Sequence, residues 1–185
     1  MKRSTVLTIA TGAAAVALGG LFAYSRATRP PVINRKVPEP AKPVELASYL
    51  GKWFELARHE NRFEKGLDAV TAEYSLRTDG KIEIVNSGCQ GSPTGEQSFV
   101  QGRALIADEA TNAKLKVSFF GPFYTGDYWV LDHAEDYSWS IVGEPGGRYL
   151  WVLARDPHPP YAEAIMKRVE ELGYDRWALR ITRHA

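Results

Sequence analysis

The stretch GKWFELARHENRFEKGLDAVTAEYSL, Gly51 to Leu76, decides the fold. It sets Gly51-Lys52-Trp53 at the head of an extended run, passes through a charged turn, and then alternates. Val70, Ala72, Tyr74 and Leu76 fall on one phase, Thr71, Glu73, Ser75 and Arg77 on the other. Such alternation belongs to a strand with one dry and one wet face. What a series of such strands encloses is the functional question.

The same texture continues along the chain. Short alternating runs bounded by Gly, Asp, Asn and Pro predict strands at Trp53–His59, Ala69–Leu76, Lys81–Gly88, Ser98–Ala107, Ala113–Phe119, Tyr128–Asp132, Ser138–Gly143 and Tyr149–Arg155. Thr78-Asp79-Gly80 reads as a hairpin turn, because Asp-Gly tolerates the positive φ that such turns demand. Ile82, Ile84 and Asn86 share one face, with Glu83, Val85, Ser87 and Cys89 opposite; Leu115, Val117 and Phe119 oppose Lys114, Lys116 and Ser118. After Pro159-Pro160 comes a helix that stops at Gly173, with Tyr161, Ile165, Val169 and Leu172 in a stripe. Trp177–Thr182 reads as one more strand, which places the helix outside the sheet.

The 185 residues, 44% hydrophobic and 24% charged, suffice for one domain with a core. The formal charge of +1 conceals an asymmetry, since 17 basic residues face 22 acidic ones from Glu39 onward. An acidic domain lacks the clustered Lys and Arg that displace counterions, so nucleic acid is excluded as a partner.

Ser4 to Ser25 carries no charge, follows Lys2-Arg3, and is long enough as a helix to span a bilayer core. Residues 1–25 are therefore expected to be an export signal or a signal-anchor helix, which leaves the folded domain on the periplasmic side, either anchored to a membrane through this segment or, after cleavage, free in the periplasm. Residues 26–43, basic and interrupted by Pro30, Pro31, Pro38, Pro40 and Pro43, read as a linker. Residues 44–185 form the folded domain. The single cysteine, Cys89, excludes an internal disulfide, and no cysteine follows the apolar run to accept a lipid.

A catalytic or metal set does not assemble. His59, His133, His158 and His184 are scattered singly, and no Gly-x-Ser-x-Gly elbow or phosphate loop is present. The acids Glu55, Glu73, Glu83, Asp132 and Glu135 fall mostly on polar phases or turns. Cys89 lies on the phase opposite Asn86, away from the prospective interior. No enzyme, metal or cofactor is expected.

Gly51-Lys52-Trp53-Phe54-Glu55-Leu56-Ala57-Arg58 resembles the first signature of the lipocalins, and Tyr149-Leu150-Trp151-Val152-Leu153-Ala154-Arg155 their last. Val70–Leu76 and Leu115–Tyr124 are similar to the bacterial envelope lipocalins and to the branch that includes apolipoprotein D. Tyr128–Asp132 is a looser match to the middle signature, since Asp132-His133 stands where the family has Asp-Tyr.

The resemblance covers Val44 to Thr182 and implies an all-β fold, an eight-stranded antiparallel up-and-down barrel with one C-terminal helix packed outside. It implies that Trp53, beside Gly51, plugs the closed end and that Arg155 lies across it. In the family's apolipoprotein D branch the residues matching Asn86 and Trp151 line the pocket. With strand phase, this gives a candidate ligand face of Tyr74, Ile84, Asn86, Leu115, Val117, Phe119, Tyr149 and Trp151. Phe120, Phe123 and Tyr124 would form an apolar lip. The implied cargo is a small hydrophobic ligand, a fatty acid or lysophospholipid, bound in the bacterial envelope. A lipid-modifying isomerase of the same shape, or a tethered interaction module that uses the lip to dock a partner or form a homodimer, are the alternatives.

Overall fold

The computed structural model describes residues 29–185; the apolar run at 4–25 lies outside the described residues. Nine strands follow one another: β1 Gly51–His59, β2 Leu67–Leu76, β3 Ile82–Gln90, β4 Gln97–Ile106, β5 Lys114–Ser118, β6 Gly126–His133, β7 Trp139–Gly143, β8 Leu150–Ala154 and β9 Leu179–Ile181. Among the described residues two α-helices accompany them, α1 Leu46–Tyr49 and α2 Ala162–Glu171, with a 3-10 turn at Arg176–Ala178 just before β9. Each strand of β2–β7 pairs antiparallel with its successor, and β1 closes the ring by pairing with β8 on one side and β2 on the other. Closure leaves the eight-stranded barrel without free edges.

Because neighbouring strands alternate in direction, every second connection lies at the same end. Residues 60–66, 91–96, 119–125 and 144–149 ring one end, and 77–81, 107–113 and 134–138 the other. The second is the closed end. There Trp53 is fully buried and its indole N–H donates to the Tyr49 carbonyl of α1 at 2.9 Å. The Arg155 guanidinium lies 3.7 Å from the Trp53 ring centre and donates to the carbonyls of Ser48, Tyr49, Leu50 and Lys52. Gly51 holds a φ of 92°, which an L side chain rarely adopts, at the point where the chain turns from α1 into β1.

β9 is an addition to the eight. β1 pairs with β2 only from Gly51↔Tyr74 to Phe54↔Thr71. Beyond that β2 bends at a register shift between Asp68 and Thr71, with Ala69 at a φ of 49°. β9 enters the widening seam, pairing Ala57↔Ile181, Arg58↔Arg180 and His59↔Leu179, and the Ala69 N–H donates to the Arg183 carbonyl at 2.7 Å.

There are two apolar cores, separated by the barrel wall. The inner one gathers Tyr49, Trp53, Tyr74, Ile82, Ile84, Ala104, Leu115, Val130, Val142 and Leu153. The outer one lies between the wall and α2: Ile165, Met166 and Val169 pack on Leu131, Ile141, Leu150 and Val152. Of the apolar stripe expected from helical spacing, Ile165, Val169 and Leu172 pack against the wall, whereas Tyr161, at the start of the helix, is exposed. The Pro-rich segment is laid down the outside of the barrel. Arg148 donates to the Pro30 carbonyl at 2.8 Å near the open end, the Ala41 N–H to Leu131 midway, and the Val44 N–H to Thr111 at the closed end.

Candidate functional site

The inner face is set by registry. Ile82↔Ala104, Ile84↔Gly102 and Asn86↔Val100 are opposed pairs, so all six face inward once Ile82, Ile84 and Ala104 do. By the same logic Tyr74 and Ala72 face in on β2, Leu115 and Val117 on β5, Tyr128 and Val130 on β6, and Trp151 and Leu153 on β8.

Burial along this face changes with height. In the lower half Tyr74, Ile82, Ile84, Ala104, Leu115, Val130, Val142 and Leu153 are all buried. In the upper half Ala72, Asn86, Val117, Phe119 and Trp151 are only partly buried, and Val100 is 37% exposed although it points inward. The interior therefore opens towards the mouth and closes below.

The closed part is not the oily hollow that the resemblance implies. The cavity lined by Tyr49, Tyr74, Ile84, Leu115, Val117 and Tyr128 admits about 10 Å³, which is about one water. Aromatic rings fill it. The hydroxyl of Tyr128 bonds to those of Tyr49 and Tyr74 at 2.9 Å each, and Tyr49 bonds on to Ser140 at 3.1 Å. Burial pushes the Tyr49 phenol up to about 12 and moves Tyr74 and Tyr128 upward as well, so the chain stays neutral. Of the candidate residues, Tyr74, Ile84 and Leu115 belong to this packed floor.

Asn86, Phe119, Trp151 and Tyr149 belong to the open half, and the partly buried Val117 lies between the two, at the edge of the closed cavity. Tyr149 stacks on Trp151 with ring centres 5.7 Å apart and planes 7° from parallel. Phe119 lies over Gly102, whose missing side chain leaves the ring its place. The Oδ1 of Asn86 is buried and has no hydrogen-bond partner among the described residues.

A buried ion pair also faces this space. Glu55↔Leu153 and Arg58↔Trp151 are opposed pairs; Glu55 follows Trp53 in phase to the inside, and the register shift at Leu56 turns Arg58 to the same side. Glu55, one of five acids expected mostly on polar phases or turns, is 1% exposed and accepts from Arg58 Nη1 at 2.6 Å and from the Thr182 hydroxyl. Burial and the nearby Glu64 charge push the Glu55 carboxyl up, while Arg58 opposes them. Glu64 reaches over the mouth from the β1–β2 loop and accepts from Trp151 Nε1 at 2.8 Å and from Asn61 at 2.7 Å. Asp132, assigned to a turn or polar phase, is likewise buried and holds Arg168 of α2 at 2.6 Å.

Cys89 is opposed to Asp68 and Gln97 on the outer phase, away from the interior, so it offers no nucleophile there. Phe120 and Phe123 are 76% and 73% exposed at the mouth.

Comparison with known proteins agrees with this architecture. A family described as a lipocalin-like domain matches residues 44–184. The chain is 47% identical over 145 residues to an outer membrane lipoprotein, Blc, of Vibrio cholerae, covering 75% of this chain and 84% of that protein. It is 37% identical over 154 residues to temperature-induced lipocalin-1 of Arabidopsis thaliana, covering 77% and 80%. With apolipoprotein D of Macaca fascicularis it shares 32% over 161 residues, covering 84% and 79%. Among solved structures, insecticyanin of the tobacco hornworm superposes with a TM-score of 0.62 at 19% identity, over 80% of this chain and 84% of that one.

Proposed function

The chain belongs to the lipocalin family, and from that premise we propose that it binds a single-chain lipid, a fatty acid or lysophospholipid, in the open half of its barrel and carries or stores it in the bacterial envelope. The observation that carries this reading is the exposure of inward-facing apolar side chains near the mouth, above a floor closed by the protein's own side chains. Val100, Val117, Phe119 and Trp151 face a space that the protein's own atoms leave incompletely filled. An acyl chain entering methyl end first would cover them, at about 0.8 kcal/mol per buried methylene.

Polar groups sit where they would orient such a guest. Asn86 offers an unused carbonyl oxygen halfway down, and Glu64, Arg58 and Glu55 form a charged wall beneath the Trp151 side of the mouth. The ligand's polar end stays at the rim, because carrying it to the tyrosine floor would strip its water without offering a free partner.

Envelope location is supported by the outer membrane lipoproteins among the relatives and by the uncharged run at 4–25. This chain differs from a lipoprotein in one respect: its only cysteine is in β3, so attachment would fall to the apolar run itself.

Titration with lysophosphatidylcholine tests the reading. Tryptophan emission is expected to change saturably and most of the change to vanish in Trp151→Phe. If no fatty acid or lysophospholipid alters the emission of the intact protein, the cargo is wrong.

A further inference from the structure

We infer that the barrel sits mouth-down on a lipid bilayer, with Phe63, Phe120 and Phe123 entering its surface. This goes beyond ligand binding, because it concerns a second lipid contact on the outside of the protein.

Two independent observations meet at one end of the molecule. The first is apolar exposure. Phe63 in the β1–β2 loop is 57% exposed, and Phe120 and Phe123 in the β5–β6 loop are 76% and 73% exposed. The two loops ring the mouth. Arg62, in the first of them, lies 4.6 Å from the Phe63 ring centre, and Lys65 is exposed on the same loop. The 119–125 loop carries no charge at all. Rings tipped outward beside basic side chains suit the boundary between acyl chains and headgroups, where the ring is buried and the cation meets phosphate.

The second is where the chain arrives. Residues 30–34 are fastened to the mouth end, through Arg148 to the Pro30 carbonyl at 2.8 Å and through the N–H groups of Ile33 and Asn34 to the Gly147 carbonyl at 2.8 and 3.1 Å. Arg29 is thus held at the mouth, and only Arg26, Ala27 and Thr28 separate it from Ser25, the end of the uncharged run. Those residues reach about 14 Å at full extension. The nine-residue β1, tilted as barrel strands are, gives a height of roughly 20–25 Å. A membrane that holds the run therefore lies within reach of the mouth and out of reach of the closed end. The occupant of the aromatic surface is then the bilayer itself, and cargo can pass between membrane and barrel without crossing water.

Spin labels on the full-length chain, reconstituted into vesicles of phosphatidylcholine and phosphatidylglycerol, test this. In a Cys89→Ser background one label replaces Pro122, between the two mouth phenylalanines, and another replaces Thr78 at the closed end; both sites are exposed. The label at 122 should collide several-fold less with a water-soluble nickel chelate and more with oxygen than the label at 78. Adding Phe63→Ser, Phe120→Ser and Phe123→Ser should return the 122 label to water while the protein stays vesicle-bound.

A water-exposed 122 label in the unaltered loop overturns the proposal, as does a lipid-buried label at 78. Dipolar coupling between 122 labels on separate copies also overturns it, because a second copy would then cover the surface. Lysophospholipid binding measured on the same samples is independent of these outcomes, so loss of the orientation leaves the cargo reading intact.

Discussion

Asn86 sits halfway down the open half with a buried oxygen that finds no partner among the described residues. An unpaired buried amide costs about 1–3 kcal/mol, so in the empty barrel this side chain works against stability. Asn86→Leu should leave the melting temperature of the ligand-free protein unchanged or raised, yet weaken lysophospholipid binding. A core residue with no ligand role would move stability alone. Trp53 makes the opposite case: it is fully buried, capped by Arg155, and hydrogen-bonded to α1. Trp53→Ala should cost about 3–5 kcal/mol in denaturant unfolding, the range for truncating a buried aromatic. Arg155→Lys should also lower stability, because a lysine ammonium lacks the planar fork that serves four carbonyls while covering a ring.

At the scale of elements, the C-terminal strand is what keeps the β1–β2 seam shut. Asp68, fully buried on β2, accepts from Arg180 at 3.0 Å and from the Arg183 backbone and side chain, so a single carboxylate ties β9 and the tail to the bent strand. Burial alone would raise its pKa, but the hydrogen bonds and charges of Arg183 and Arg180 outweigh it and hold the carboxyl below the usual aspartate range. A depressed folded-state value means that the unfolded chain binds the proton more readily. The contribution is therefore complete above the ordinary aspartate pKa of about 3.9 and is lost as pH falls from there through the folded value. Thermal melts between neutral pH and pH 3 should show Asp68→Asn less stable than the parent at neutral pH, with the gap narrowing in acid. A gap constant with pH would mean that the carboxylate charge is not what closes the seam.

Across the whole molecule, what alternation and spacing could express was readable in the sequence. Leu115 and Val117 against Lys114 and Lys116, and Ile165 with Val169 on the helix, report a face directly, and each face is where the pattern put it; the Asp79-Gly80 turn joins β2 to β3 with Gly80 at a positive φ. The family signatures added the Trp53–Arg155 closure. Three features escaped because they break period two or come from far along the chain. The irregularity at Leu56 turns Glu55 and Arg58 to the same side, which simple alternation forbids. The floor depends on Tyr49, supplied by a four-residue helix, meeting Tyr128 across the barrel. The seam is filled by a strand more than a hundred residues away from β2. The packed lower half is the consequence that matters most, since it confines a guest to the upper half or requires the aromatic floor to move. A crystal structure of the protein with bound lysophosphatidylcholine measures this directly. The acyl chain is expected between Asn86 and Trp151, beside Val117 and Phe119, with its end above Tyr74. Lipid found only on the outer surface, with the interior packed as described, would contradict the account.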